Sequence, residues 1–227
     1  MPICSRYKAR NKIKLIFDAH EIYDHLAQAS DIIASINSKI LKTYSTSVDF
    51  FITINASIAN YYKRFYPDLP AAYVIKNATI PSTNYNYDGR LHDAAGLDIN
   101  RKIIIYQGGF ARNRGLVDLL LSAEHLDDNW SIVFMGWGNL EDELKRIHKA
   151  LVLKKPALNN SIKFIPKVKH SELVYWSSGA TIGIIPYENT GLNHWYCNPN
   201  KLWEYPNASV PILVSPFPEL TLSLIHI

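Results

Sequence analysis

Short, almost wholly apolar runs alternate with stretches of helical periodicity along this chain, and few folds accept such a pattern. Leu15 to Phe17, Phe50 to Ile54, Ala72 to Ile75, Ile103 to Tyr106, Ile132 to Met135, Ile162 to Ile165, Ile182 to Ile185 and Ile212 to Val214 all read as strands. Their near-continuous hydrophobicity suits strands buried on both faces, which means a parallel sheet covered by helices. Between them Leu116, Leu119, Leu120 and Ala123 recur at i, i+3, i+4 and i+7, as on one face of a helix. Leu140, Leu144, Ile147 and Leu151 form a second stripe behind Asn139 as N-cap, and Ile32, Ile33, Ile36 and Ile40 a third. Each stripe is expected to face a core, and the fold class is α/β.

With 227 residues, 48% hydrophobic and 19% charged, the chain can bury one large core or two small ones. The alternation breaks between Pro81 and Asn100, where Ser82, Thr83, Asn84, Asn86, Asp88, Gly89 and Gly96 favour turns. A boundary there divides residues 1–80, read as the rear of one domain, from residues 101–221, with 81–100 as an irregular connection. No internal repeat or low-complexity segment is present, which disfavours solenoids. The first strand runs straight into Asp18-Ala-His-Glu21 without an earlier glycine turn, so further sequence is expected upstream. Residues 222–227 resemble the translated end of a sequencing-library transposon, which puts the native end near Thr221 and leaves His226 without a role.

Several function classes are disfavoured. The formal net charge is +4, and the basic group Arg6, Lys8, Arg10, Lys12 and Lys14 reads as a solvated face, with anionic lipid or polyphosphate as the alternative. No basic stripe with interleaved aromatics marks a nucleic-acid surface. Cys4 and Cys197 lack metal or redox spacing, which suits a reduced, cytosolic chain. No apolar run approaches the ~18 residues of a spanning helix, and the start lacks a secretory pattern; peripheral membrane contact stays open.

Chemistry concentrates in two places. Between Ile103 and Gly115 a strand, the turn glycines Gly108 and Gly109, the cations Arg112 and Arg114 and a helix start converge. Glycine backbone lets a ligand come close, arginines neutralise a diphosphate, and helix amides accept an anion; an ordinary tight turn is the competing explanation. Met135-Gly-Trp-Gly138 repeats the arrangement one unit later, bringing Gly136 beside a possible ligand edge. The second place is Asn198-Pro-Asn-Lys-Leu-Trp-Glu-Tyr205, where Asn198 is expected to cap a helix opening at Pro199. Glu204, in its second turn, either accepts two hydroxyls of a ribose or is a solvated helix carboxylate.

Six segments together resemble retaining glycosyltransferases of family 4, in the same order. They are Phe17 to Glu21, Val48 to Asn55, Val74 to Ala78, Tyr106 to Gly115, Phe134 to Gly138 and Pro199 to Tyr205. The resemblance implies a GT-B fold of two Rossmann-like domains, the first incomplete, with a nucleotide-sugar donor held by the second. By the same correspondence Arg114 contacts the donor diphosphate and Glu204 the ribose, while His20 lies near the transferred sugar and Asn77 marks the crossing between domains. Gly108, Gly109, Arg112, Gly136, Glu188, Asn200 and Lys201 complete the expected donor set. Three positions depart from the family: Gly109 replaces its usual arginine, Tyr196 its first paired glutamate, with Glu188 or Asn193 as substitutes, and Pro166 a frequent glycine.

The implied reaction is metal-independent transfer with retention, with no cofactor, the nucleotide-sugar serving as substrate. No Asp-x-Asp pair for a divalent ion is evident, and Arg114 with Lys201 would stabilise the departing diphosphate. His20 orients the sugar or acceptor, or exchanges a proton with it. The acceptor is a glycan, a lipid-linked saccharide or a small molecule. A sugar-nucleotide epimerase and a non-catalytic binding module are the competing readings. His25, His92, His125, His148, His170 and His194 show no ligand spacing and are assigned nothing.

Overall fold

In a computed structural model of the chain, residues 1–26, 30–81 and 86–224 are described. The elements follow one another as α1 (Pro2–Arg10), β1 (Ile16–Ala19), α2 (Asp31–Tyr44), β2 (Phe50–Thr53), α3 (Ala56–Phe65) and β3 (Ala72–Val74). Next come α4 (Arg90–Ala95), β4 (Lys102–Gly109), α5 (Leu116–Leu121), β5 (Trp130–Trp137), α6 (Glu141–Lys154), α7 (Leu158–Ser161) and β6 (Ile162–Pro166). The chain continues as α8 (Leu173–Ser177), β7 (Ile182–Ile185), α9 (Leu192–Trp195), α10 (Lys201–Asn207), β8 (Ile212–Val214) and α11 (Pro218–Leu224). Every apolar run read as a strand is one, and all the strand pairs are parallel.

The chain forms two compact units. The first comprises Met1–Asn77, Asn189–Asn198 and the described part of Phe217–His226, and holds a sheet of order β1-β2-β3. Its core is aromatic: Phe51, Tyr62 and Tyr66 are all but fully buried, and Phe17 stacks on Phe51 at 5.6 Å between ring centroids. The hydroxyls of Tyr61, Tyr62 and Tyr66 are paired. Asp24 accepts the hydroxyls of Tyr61 and Tyr66 at 2.7 and 2.6 Å, so the rings bury without stranding their O–H groups. Asn55 caps α3 by accepting the Ile58 amide at 2.8 Å, and Glu219 on α11 accepts the Ser57 amide at 3.0 Å.

Asp49 ties the amino-terminal segment to this sheet. It accepts from Lys8, from the Leu15 amide at 2.8 Å and from Lys14 at 3.2 Å. The Lys8 bond foremost, then the Leu15 amide, holds its carboxyl below the ordinary carboxylate range. A depressed folded-state pKa contributes stability that is present above the unfolded value near 3.8 and lost as pH falls through the folded value. Amide exchange at Leu15 is therefore expected to accelerate at strongly acidic pH beyond its intrinsic pH dependence, and Asp49→Asn should remove that acid response.

The second unit comprises Ala78–Glu188 and Pro199–Pro216, with a sheet of order β6-β5-β4-β7-β8. Ile103, Ile105, Val133, Phe134 and Ile162 on the strands, with Leu116, Leu120, Leu144 and Leu202 on the helices, make its core. The α5 and α6 stripes face that core as the periodicity predicts. The α2 stripe does not: Ile32, Ile33 and Ile36 are 72, 48 and 52% exposed, and Leu41 is the buried residue of that helix. The helix is held through its carboxy-terminal half, where Asn37 donates to the Tyr23 carbonyl and Ser38 accepts from Tyr66, so its first turns present their aliphatic side to solvent.

Other expectations also shift. Residues 81–100 include α4, anchored by buried Leu91, His92 and Ala95; Ser82, Thr83 and Asn84 lie outside the described residues. Asn139 does not cap α6, because Leu140 occupies the N-cap in a helical conformation with no side-chain bond. Asn198 does not cap α10, whose N-cap is Asn200, likewise helical and without a capping bond. In the suspected tail, Leu222, Ser223 and Leu224 belong to α11, and residues 225–227 lie outside the described residues.

Candidate functional site

The strand order of the second sheet reverses at its centre. From β4 the chain steps outward through β5 and β6, then returns to place β7 on the other side of β4. Loops leaving the carboxyl ends of β4 and β7 therefore diverge, and such a switch point is where open parallel sheets hold ligands. The segment Phe110 to Gly115 leaves β4 here, and Pro186, Tyr187 and Glu188 leave β7.

Lys201, the first residue of α10, reaches into that switch point. Its side chain is buried, at 8% exposure, and its Nζ donates to the Tyr187 hydroxyl at 2.8 Å. The ammonium lies 4.8 Å from the ring centroid of Tyr106 and 5.0 Å from that of Tyr187. Arg114 stacks on the same Tyr187 ring, its Cζ 4.1 Å from the centroid. Burial pulls the Lys201 pKa down, but the Tyr187 and Tyr106 hydroxyl groups outweigh it and set the pKa above its ordinary value, so the ammonium is charged at neutral pH. Among the described residues no carboxylate lies within ion-pair distance of Lys201 or Arg114. Two cations share one tyrosine without an acidic partner, and aromatic faces compensate such charge only in part.

Glu204 lies one turn along α10 from Lys201, and a hydrogen-bond chain fixes its carboxylate. Ser177 donates to Gln107 Oε1 at 2.6 Å, and Gln107 Nε2 donates to Glu204 Oε2 at 2.8 Å. The buried amide thus has one orientation that satisfies both neighbours. Glu204 Oε1 stands 3.6 Å from His170 Nε2, a residue the sequence reading left unassigned. Glu204, His170 and Leu173 separate two cavities. One, of about 280 Å³, is lined by Thr79, Ile80, Pro81 and Asn207; the other, of about 210 Å³, runs past Gly108, Gly136, Trp137 and Lys167. Arg114 opens on a third cavity of about 190 Å³ with Arg112, Glu143 and Glu188. Arg114 and Glu204 thus face different cavities, with Lys201 as the element between them.

The turn glycines have separate reasons. Gly108 has φ +121°, a conformation side-chain-bearing residues rarely adopt, and a Cβ there would lie in ordinary contact range of the Lys201 ammonium, at 3.5 Å. Gly136 is paired in register with Gly108, and a Cβ on it would lie 1.9 Å from the Gly108 carbonyl oxygen. The approach of the neighbouring strand requires glycine there, and Gly136 also lines the cavity of about 210 Å³. Gly109 is exposed, and its carbonyl accepts the Tyr106 hydroxyl at 2.9 Å.

Of the remaining sequence candidates, Arg112 and Glu188 line the cavity of Arg114, and the side chains of the others bond to neither cation. Arg112 is 81% exposed at its side chain, 4.0 Å from Glu143. Glu188 accepts the Gly115 amide at 3.0 Å and so occupies the first turn of α5 itself. Asn193 is bonded to the Ile22 amide and to the Ile22 and His25 carbonyls, and the Tyr196 carbonyl accepts from Asn55. Asn200 contributes its backbone to the start of α10. His20 belongs to the first unit, exposed just after β1 and 3.2 Å from Asp18. Asn77 ends that unit, its side chain donating to the Asn198 carbonyl at 2.8 Å. Tyr187, Tyr106, Gln107, His170, Trp137 and Lys167 escaped the sequence reading; an interrupting tyrosine directly after a strand was the signal available for Tyr187. Among the described residues no group of three or more His, Cys, Asp or Glu side chains is placed to hold a metal, and no helix is long and apolar enough to cross a membrane.

No family model matches the sequence, and no curated protein does either. Solved structures match the fold. Anabaena HepE in complex with UDP and glucose superposes with a TM-score of 0.71 at 11% identity, covering 97% of this chain and 57% of that one. Sucrose-phosphate synthase from Thermosynechococcus elongatus matches with a TM-score of 0.67 at 17% identity, over 96% of this chain and 54% of the other. WaaG, a glycosyltransferase involved in lipopolysaccharide biosynthesis, matches with a TM-score of 0.68 at 10% identity, over 99% and 65%. The chain thus spans less than two thirds of each of these proteins. The fold is the α/β GT-B type seen in these glycosyltransferases, with two parallel sheets flanked by helices.

Proposed function

We propose that this chain is part of a retaining glycosyltransferase of family 4 that moves a sugar from a nucleotide-sugar donor to an acceptor in glycan or polysaccharide biosynthesis. The observation carrying this reading is the pair of cations, buried Lys201 and half-buried Arg114, that share Tyr187 at the switch point of the second sheet with no carboxylate among the described residues within ion-pair distance. A nucleoside diphosphate supplies the negative charge that pair lacks. As the bond between the anomeric carbon and the diphosphate breaks, charge accumulates on the leaving oxygens, and Lys201 and Arg114 stabilise it without a metal. Glu204, held by Gln107, accepts the ribose hydroxyls. His20 orients the sugar or acceptor, or carries its proton. We place the protein in the cytoplasm, with peripheral contact at the inner face of the membrane, and the acceptor as a glycan, a lipid-linked saccharide or a small molecule.

Asn193 is engaged with Ile22 and His25, so Glu188, which lines the cavity of Arg114, is the substitute this reading keeps for the family's first paired glutamate at Tyr196. Calorimetry against UDP-, GDP- and ADP-sugars followed by product analysis tests the proposal. Sugar transfer to an acceptor is expected with the preferred donor once the remainder of the protein is present, and little with the 227-residue chain alone. An altered free sugar would indicate an epimerase, and binding without turnover by the longer protein a non-catalytic module. Arg114→Ala is expected to weaken donor binding about tenfold, the value of one charge-assisted contact. Unchanged affinity in that variant would remove Arg114 from the site.

A further inference from the structure

The cavity of about 210 Å³ beyond Glu204 has a feature the diphosphate and ribose contacts do not use. Its floor is backbone, since Gly108 and Gly136 carry no side chains, and a flat opening runs along the ends of β4, β5 and β6. At its far rim stands Trp137, an indole 55% exposed, with the Lys167 ammonium 5.0 Å from its ring centroid. An exposed indole beside that cavity offers a planar surface for stacking. Of the cavity's other polar side chains, Gln107 is committed to Ser177 and Glu204, while His170 is largely exposed at 3.6 Å from Glu204. Lys167 is the charged group placed against Trp137, and an ammonium is a donor with no acceptor capacity.

On the reading that Glu204 holds a ribose, we infer that the Trp137–Lys167 pair selects the donor's nucleobase, favouring a base that presents a ring carbonyl oxygen, uracil or guanine, over adenine. The indole contributes stacking, which every base accepts equally. Lys167 contributes direction: it donates to O4 of uracil or O6 of guanine, whereas adenine presents an amine in place of that oxygen and leaves only ring nitrogens as acceptors. Selectivity therefore resides in Lys167 and general affinity in Trp137.

Calorimetric titration of the 227-residue chain with UDP, GDP and ADP tests this. The unaltered chain is expected to bind UDP or GDP about tenfold more tightly than ADP, the worth of one hydrogen bond to a charged group. Lys167→Met should bring the three affinities within about threefold of one another, and Lys167→Glu, which replaces a donor by an acceptor, should turn the preference towards ADP. Trp137→Ala should weaken all three alike. Equal binding of the three by the unaltered chain, or an unchanged ratio in Lys167→Met, overturns the base-selection inference while leaving the diphosphate site intact. Binding of none of the three by a folded chain overturns the donor reading itself, and this inference with it.

Discussion

Gly136→Ala is expected to destabilise the second unit by at least about 3 kcal/mol, at or beyond the upper end of ordinary overpacking. The added Cβ would lie 1.9 Å from the Gly108 carbonyl oxygen, 2.9 Å from its carbon and 3.2 Å from the Phe110 ring. The atoms in the way belong mostly to the backbone of the central strand, so no side-chain rotation relieves the clash, and at φ +157° the residue is itself in a conformation that disfavours a side chain. For a unit of this size the loss corresponds to a fall in melting temperature of about 10 °C or more. Gly109→Ala is the matched control, one residue from the same crossing yet with nothing within 4 Å of its added carbon. Thermal unfolding of the two variants decides the matter: similar melting temperatures would show that β4 and β5 do not approach as closely as described.

Lys201→Met is expected to have opposite effects on binding and on stability. Methionine keeps an unbranched stem of similar length in the same buried site, and the change removes a cation that no acid compensates. Folding stability should stay level or rise, because the cost of burying that charge disappears. Binding of a nucleoside diphosphate should fall about 30- to 150-fold, the equivalent of about 2–3 kcal/mol for charge-assisted contacts in a dry site. Calorimetry and thermal unfolding of one preparation measure both quantities. A lower melting temperature with unchanged affinity would assign Lys201 to the architecture and would leave Arg114 as the remaining cation of the site.

Much of the fold is legible because burial on both faces leaves a simple mark on a strand. Ile103 to Tyr106 and Ile132 to Met135 stand out as apolar whatever lies around them, and both became central strands. Helix starts were less legible. Asn139 and Asn198 have the right chemistry for capping, but a cap needs an extended backbone at one residue, and the chain enters these helices through Leu140 and Asn200 in helical conformation. The α2 stripe shows the complementary limit: periodicity reports that one face is aliphatic, while its cover depends on what packs there.

For the candidate site, residue type pointed to Arg114 and Glu204, since few other side chains suit a diphosphate or a diol, and the family resemblance added Lys201. It also pointed to Gly136, where the approach of β4 supplies a further reason for glycine; a glycine needed by a neighbouring strand and one needed by a ligand look identical in sequence. Trp137, Lys167 and His170 carry no pattern; they sit at the end of β5 and in the segment after β6, whose positions follow from strand order.

The sequence by itself determined the two alternating α/β segments, the strands and the kinds of charge available, since periodicity and side-chain chemistry are local. Tertiary structure alone decided that Lys201 and Arg114 share one tyrosine without an acid, that Gln107 aims Glu204, and that Arg114 and Glu204 open on different cavities. Those relations join residues up to 97 positions apart, as Gln107 and Glu204 are, and depend on the return of β7 to the side of β4. That return is set by the packing of a whole sheet, to which no single stretch of chain holds the key.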